Sequence, residues 1–216
     1  MTLGYDLYWS FRSPYSYFVM KRLVELEREF DVVGKVRVVY PIAVRQPEFF
    51  DKNDPLWVQY FMRDIFRSAQ FLGLPFGWAS PDPVVMDMAT RKYSKDQPYI
   101  YRLTQLGEAA SEKGKGLAFI DAVSHTIWSG EVKGWNEGDH LADAATRAGL
   151  SLVELDAKIA ADPSHYDRAI KANQDAQREG GHYGVPLMVF DGEPFFGQDR
   201  FEQMKWRMAQ NGLQRR

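Results

Sequence analysis

The sequence predicts an α/β fold in which a β-α-β unit and a β-β-α unit share one sheet, with a large all-helical insertion between the two halves. Three observations predict it. Residues 5–40 pass from a strand pattern to a helical period and back. Residues 55–180 carry helical periods with no convincing strand. The hairpin dipeptide Asp191-Gly192 then follows a further apolar run.

Tyr5-Asp6-Leu7-Tyr8-Trp9-Ser10 alternates and is rich in aromatics, as a short strand should be. Ser13-Pro14 places a preferred capping residue ahead of a proline, whose missing N–H would be unpaired in the first helical turn anyway. Tyr15, Val19, Leu23, Leu26 and Phe30 recur at steps of three or four and mark one buried stripe to about residue 30. After Gly34, the run Val36-Arg37-Val38-Val39-Tyr40 reads as a second strand, parallel to the first through a right-handed crossover. Helices are predicted over 55–72, 84–93, 98–112, 117–129, 138–148, 151–161 and 164–178. They are punctuated by Gly73-Leu74-Pro75, Ser80-Pro81-Asp82-Pro83, Gly114 and Gly116, Gly130, Gly149 and Asp162-Pro163. Val185-Pro186-Leu187-Met188-Val189-Phe190 is the next strand, and Glu193-Pro194-Phe195-Phe196 returns from the turn, short or at an edge because of Pro194. A last helix begins near Gln198-Asp199, buries Phe201, Met204 and Met208, and ends at Asn211-Gly212. The domains on this reading are residues 1–48 with 181–216 around the sheet, and a helical insertion, 49–180.

The chain has 216 residues, 27 basic and 29 acidic, for a formal charge of −2 with histidine neutral. That near-balance removes the electrostatic footprint of a nucleic-acid or anionic-membrane binder. With 45% hydrophobic and 14% aromatic residues there is ample material for a core and no compositional case for disorder. The first residues show no targeting pattern, and no window approaches the roughly 18 apolar residues of a spanning helix, so no membrane association and a cytoplasmic location are expected. The cysteine count is zero. That excludes disulfides, thiolate metal sites, a cysteine nucleophile and any dithiol redox cycle on the protein's own sulfur.

Serine-hydrolase elbow, phosphate-loop and dinucleotide motifs are absent. His125, His140, His165 and His182 lack metal-binding spacing, so no metal is expected and ordinary surface or core roles follow. His182 is the exception: four residues before Pro186, it could approach a site mouth as a general acid or base. Tyr93, Tyr99, Tyr101, Trp128 and Trp135 are core and packing residues, some able to line an apolar pocket. Arg215-Arg216 reads as a solvated tail.

The first strand-to-helix turn reads Ser10-Phe11-Arg12-Ser13-Pro14-Tyr15-Ser16. The β-α-β and β-β-α halves together compose the thioredoxin arrangement, where this turn normally carries C-x-x-C and the helix N-terminus lowers the first thiol's pKa. Here Ser13 and Ser16 put hydroxyls at both positions. The helix and its donors are kept while the sulfur is gone, which implies a thiol that arrives with a ligand.

Ser13-Pro14-Tyr15-Ser16, Gly184-Val185-Pro186 and Gly197-Gln198-Asp199-Arg200 together resemble the 2-hydroxychromene-2-carboxylate isomerase family. That family is close to kappa-class glutathione transferases, within the DsbA-like thioredoxin superfamily. The resemblance covers essentially the whole chain, with Tyr60, Asp64 and Leu74-Pro75-Phe76 at familiar spacings in the insertion. It implies glutathione as cofactor, with Ser13 hydrogen-bonding its sulfur and favouring the thiolate. A cis peptide at Val185-Pro186 would free the Val185 backbone to pair with the cysteinyl unit. Gln198 and Asp199 would take the γ-glutamyl carboxylate and ammonium, with Arg200 orienting Asp199. Asn53 matches the family's asparagine in the loop after the second strand. That loop, Arg45 to Tyr60, is shorter than expected, and Trp57 stands where the family commonly carries a glutathione-binding lysine. The family further implies a homodimer and a small aromatic substrate, isomerised by reversible thiolate addition.

Without the resemblance, Ser13 is a helix cap, Ser16 is structural, Gly184-Val185-Pro186 is a turn, and Gln198-Asp199-Arg200 is a helix start. One fold would place all three motifs at the same end of the sheet, and this convergence favours the functional reading. Two alternatives differ in class: a kappa-like glutathione transferase or peroxidase that consumes the thiol, and a non-catalytic thioredoxin-like binding module.

Overall fold

Strand β1 (Leu3–Trp9) runs parallel to β2 (Val32–Val38), and the hairpin strands β3 (Leu187–Phe190) and β4 (Glu193–Phe196) complete a sheet of order β2-β1-β3-β4. The computed structural model describes residues 2–49, 54–87, 90 and 92–216. β3 is antiparallel to both β1 and β4, so the two predicted halves do share one sheet. Leu7 lies opposite Val36 on one side and Met188 on the other. With period-two alternation, Tyr5, Leu7, Trp9, Val36, Val38 and Met188 point into the main core. Tyr8, Val39 and Leu187 point to the other face, where Ala176 packs on them. Asp6 and Arg37, on β1 and β2, form an ion pair at 2.6 Å.

Helix α1 (Pro14–Glu29) crosses between β1 and β2. The second strand starts four residues before its predicted onset, because Gly34 continues the ladder instead of breaking it. Gly34 stands opposite Tyr5, whose ring occupies the space a Cβ would need, 2.5 Å away. Glu27 Oε1 then accepts both the Gly34 N–H and the Tyr5 hydroxyl.

The insertion holds α3 (Pro55–Phe71), α4 (Ile100–Glu112), α5 (Gly116–Trp128), α6 (His140–Arg147), α7 (Leu152–Ala161) and α8 (Pro163–Glu179), close to the predicted spans, after a four-residue α2 (Ile42–Arg45) too short to show a period. α9 (Phe201–Gln210) closes the second half, preceded by a 3-10 turn at Gln198–Arg200. α4, α5 and α8 pack on β2, and α4 approaches closely because a Cβ at Gly107 would meet Val38 at 2.8 Å. One apolar cluster thus runs from the sheet through α1 into the inserted helices.

The helix predicted over 84–93 does not form in the described residues, where Met86 instead bridges Tyr93 as in a strand pair. Side chains satisfy the backbone there. Asp82 accepts the Val84 N–H, and Gln97 bonds both the N–H and C=O of Val85. The apolar spacing of Val84, Val85 and Met86 reflects a buried loop anchor, with Val84 fully buried. The expected solvated tail also docks through its backbone: Arg216 N–H donates to Glu29 O, and Arg215 bridges Phe30. No helix among the described residues is long and apolar enough to cross a membrane.

Candidate functional site

The turn between β1 and α1 is held from several sides. Ser13 has extended backbone angles and caps α1, its Oγ accepting the Ser16 N–H at 3.2 Å with Pro14 in the first turn. Trp9 Nε1 donates to Ser16 O, and Trp128 Nε1 donates to Phe11 O. Arg12 makes a two-point pair with Asp82, at 3.0 and 3.2 Å, and lies over the Tyr93 ring. Ser16 is fully buried, which places the second hydroxyl of the turn inside the fold.

The Val185-Pro186 peptide is cis, and the Ser13 hydroxyl donates to Val185 O at 3.5 Å. That contact sits at the long limit of a hydrogen bond, while the cap at Ser16 holds the oxygen in place. The Ser13 proton is therefore positioned yet weakly committed. Gln177 Nε2 donates to Gly184 O at 2.7 Å, and Gly197 N–H to Pro186 O at 2.9 Å, fixing the segment on both flanks. Gly197 has φ +99°, which a Cβ would strain, and it turns the chain into the 3-10 segment.

Ser13 and Val185 face a cavity of about 570 Å³, within the size range of small-molecule sites. Tyr15, Phe49, Trp57, Tyr60, Phe61 and Phe196 give it an aromatic wall. Trp57 stacks on Phe61, centroids 5.1 Å apart at 11°. The Tyr15 hydroxyl donates to Asp64 at 2.6 Å, and burial plus that carboxylate push the phenol far up in pKa. Asp64 is itself held low, since the bonds from Tyr15 and Arg67 outweigh its desolvation.

Of the arginines on the cavity, Arg12 is neutralised by Asp82. Arg45 has no carboxylate partner among the described residues. Its Nη2 donates to Tyr183 O at 2.9 Å, and its buried Nε has no acceptor among the described residues. Burial, with Arg178 nearby, pushes its pKa down to about 10. A cationic, partly unsatisfied guanidinium in an apolar cavity is a place for an anion. No group of three or more His, Asp or Glu among the described residues could hold a metal.

The structure brings Ser13, Val185 and Pro186 together. It places Gln198, Asp199 and Arg200 beyond the Pro186–Gly197 bond, outside the cavity lining. Gln198 Oε1 accepts from Arg22 of α1, and Asp199 pairs with Arg200 at 2.9 Å. Asn53 lies outside the described residues. Trp128 and Trp135 are buried core, and neither they nor Tyr93, Tyr99 or Tyr101 are among the described cavity-lining residues. Sequence reasoning missed Arg45 and the Arg12–Asp82 pair. The aromatic spacing of Trp57, Tyr60 and Phe61 was the available signal for the wall.

The family model of the DsbA-like thioredoxin domain matches residues 6–209. No curated protein matches the sequence. Among solved structures, the chain is similar to a 2-hydroxychromene-2-carboxylate isomerase at 18% identity and TM-score 0.71, covering 96% of this chain and 95% of that one. A probable DsbA oxidoreductase from Streptomyces coelicolor aligns at 20% identity and TM-score 0.65, over 96% and 89%. The cytosolic disulfide reductase DsbM from Pseudomonas aeruginosa, with GSH, aligns at 12% and 0.57, over 96% and 100%. At these identities the likeness establishes the fold.

Proposed function

The chain belongs to the DsbA-like thioredoxin family, and from that premise we propose that it is a glutathione-dependent isomerase of a small aromatic substrate, working on a thiol it does not itself possess. One observation carries the reading. Ser13 stands at the N-terminus of α1 beside a cis-proline segment, with a fixed oxygen and a loosely held proton, in a chain with no cysteine. The similar isomerase and the GSH-bound reductase support it.

The residues suit the cofactor. The cavity has room for a peptide-sized ligand, Arg45 has no carboxylate partner among the described residues, and Val185 presents backbone at the wall. Glutathione, when bound, supplies a thiolate able to add reversibly to an activated carbon, allow rotation and leave unchanged. Ser13 turns its proton from the Val185 carbonyl to the sulfur while Ser16 N–H keeps its oxygen in register. The α1 N-terminus favours the negative charge by roughly 0.3–1 kcal/mol when exposed, and more when partly buried. Arg45 offers a charge-assisted donor to a carboxylate of the tripeptide, in place of the lysine that Trp57 displaces. The wall of Phe49, Trp57 and Phe61 holds an aromatic ring and excludes water. Gln198 and Asp199 take the γ-glutamyl end if Gln198 exchanges its bond to Arg22, and Arg200 orients Asp199. The exposed Leu56, Phe66 and Phe71 of α3 favour a homodimer, and glutathione dependence favours the cytoplasm.

The test is the ultraviolet thiolate absorbance of glutathione titrated with pH, with and without protein, for wild type and Ser13→Ala. A hydrogen bond to a charged group contributes about 1.5–3 kcal/mol, which lowers the thiol pKa from roughly 8.5 by about 1–2 pH units. Ser13→Ala should return it upward. An unshifted thiol or no binding refutes the reading, and depletion of glutathione on turnover identifies a transferase instead.

A further inference from the structure

His182 lies in the loop ahead of the cis peptide, and three contacts fix its ring. It stacks on Phe196 of β4, centroids 3.7 Å apart at 22°, and on Tyr183, 4.7 Å apart at 13°. Gly184 makes room for this arrangement, since a Cβ there would come within 2.5 Å of the Phe196 ring and 3.0 Å of His182 Cε1. The Gly184 N–H donates to His182 Nδ1 at 2.9 Å. A ring nitrogen that accepts from an amide keeps its lone pair, so the neutral imidazole carries its proton on Nε2. Burial disfavours the charged ring and lowers its pKa. Nε2 has no hydrogen-bond partner among the described residues, and His182 lines the same cavity as Ser13 and Val185.

We propose that His182 is a catalytic residue that donates a hydrogen bond through Nε2–H, as a neutral imidazole, to an oxygen of the aromatic substrate on which negative charge develops. This role differs from the general acid or base expected from its position. With Nδ1 tied to Gly184, the free nitrogen carries a hydrogen and has no lone pair to take a proton. The inference rests on the glutathione reading for the nature of the attacking atom. The step requires a reacting carbon conjugated to a carbonyl. The electron pair displaced onto that carbonyl oxygen as the carbon–sulfur bond forms returns when the bond breaks, and the imidazole neither gains nor loses a proton. A preorganised donor aimed at such an oxygen costs no reorganisation during reaction.

The experiment uses 4-nitrophenolate as an oxyanion probe and 4-nitroanisole as its uncharged counterpart. Both are titrated without glutathione into wild type and His182→Phe, which keeps a ring for the stack. The variant should bind the phenolate about 10-fold or more weakly and the anisole equally well, as the loss of one charge-assisted hydrogen bond requires. Nitrogen-15 spectra of the wild-type imidazole should show the proton on Nε2 and a lone pair on Nδ1 at neutral pH. Equal phenolate affinity in the two proteins, or a proton on Nδ1, overturns the proposal. The spectra stand even if the variant folds poorly. Because neither readout involves glutathione, failure of the donor is separable from failure of the glutathione reading.

Discussion

Replacing Asp82 by alanine strips a partly buried guanidinium of its carboxylate, and the cost can be bracketed from the geometry. An exposed ion pair contributes about 0–1 kcal/mol, whereas removing one partner of a buried pair costs about 3–5 kcal/mol. The Arg12 and Asp82 side chains retain 17% and 25% of their accessibility, nearer the buried limit, and the pairing is two-pointed. Asp82 also accepts the Val84 N–H at 2.9 Å, a bond contributing about 1 kcal/mol. Asp82→Ala should therefore destabilise by about 3 kcal/mol. With a urea dependence of about 2–3 kcal/mol/M for a chain of this size, the midpoint falls by about 1 M. Tryptophan fluorescence would follow unfolding, since Trp128 and Trp135 bond to backbone on either side of the pair. Arg12→Met in the Asp82→Ala background removes the stranded charge, so the double variant should recover about 2 kcal/mol relative to additivity. A midpoint shift below about 0.2 M, or strict additivity, refutes the argument.

Arg45→Gln should weaken glutathione about 10-fold by calorimetry, the value of one hydrogen bond to a charged group, with little change in stability; unchanged affinity would remove Arg45 from the site. Glu108 is pushed up in pKa mainly by burial, with Glu112 adding and the bond from Asn173, Arg37 and His165 opposing. A carboxyl raised in the folded state contributes stability that is full below its unfolded value of 4.5 and is lost as pH rises through the folded value. Glu108→Gln has no such loss, so it should gain on wild type as pH climbs from about 4 toward neutrality. Thermal unfolding across that range reads the difference, and a gap that shrinks with pH refutes the assignment.

What was legible in the sequence was local. Ser13 declared itself by capping chemistry and Pro14, and the Asp191-Gly192 turn set the hairpin, because a few neighbouring residues determine both. Gly34 misled because the physics that keeps it in a strand belongs to Tyr5, across the ladder. The segment 84–93 misled for a similar reason. Its backbone is satisfied by the side chains of Asp82 and Gln97, whose positions no hydrophobic period encodes. Arg45 was silent because its significance lies in its place on the cavity, with no acceptor for Nε among the described residues, which only the assembled fold shows. The tautomer of His182 likewise depends on one amide, that of Gly184, and the room Gly184 leaves for Phe196.

The sheet order has a consequence for synthesis. β1 finds β2 within the first 38 residues, but its other edge, at Asp6 to Tyr8, pairs with Leu187 to Val189. At roughly 5–20 residues per second, that edge waits about 10–40 s for its partner while the inserted helices emerge. An open strand edge is a template for pairing with another chain, and charge on it is a deterrent. Asp6, already paired with Arg37 across the first ladder, gives the nascent sheet a charged guard on β1 for as long as the translating chain leaves that edge uncovered.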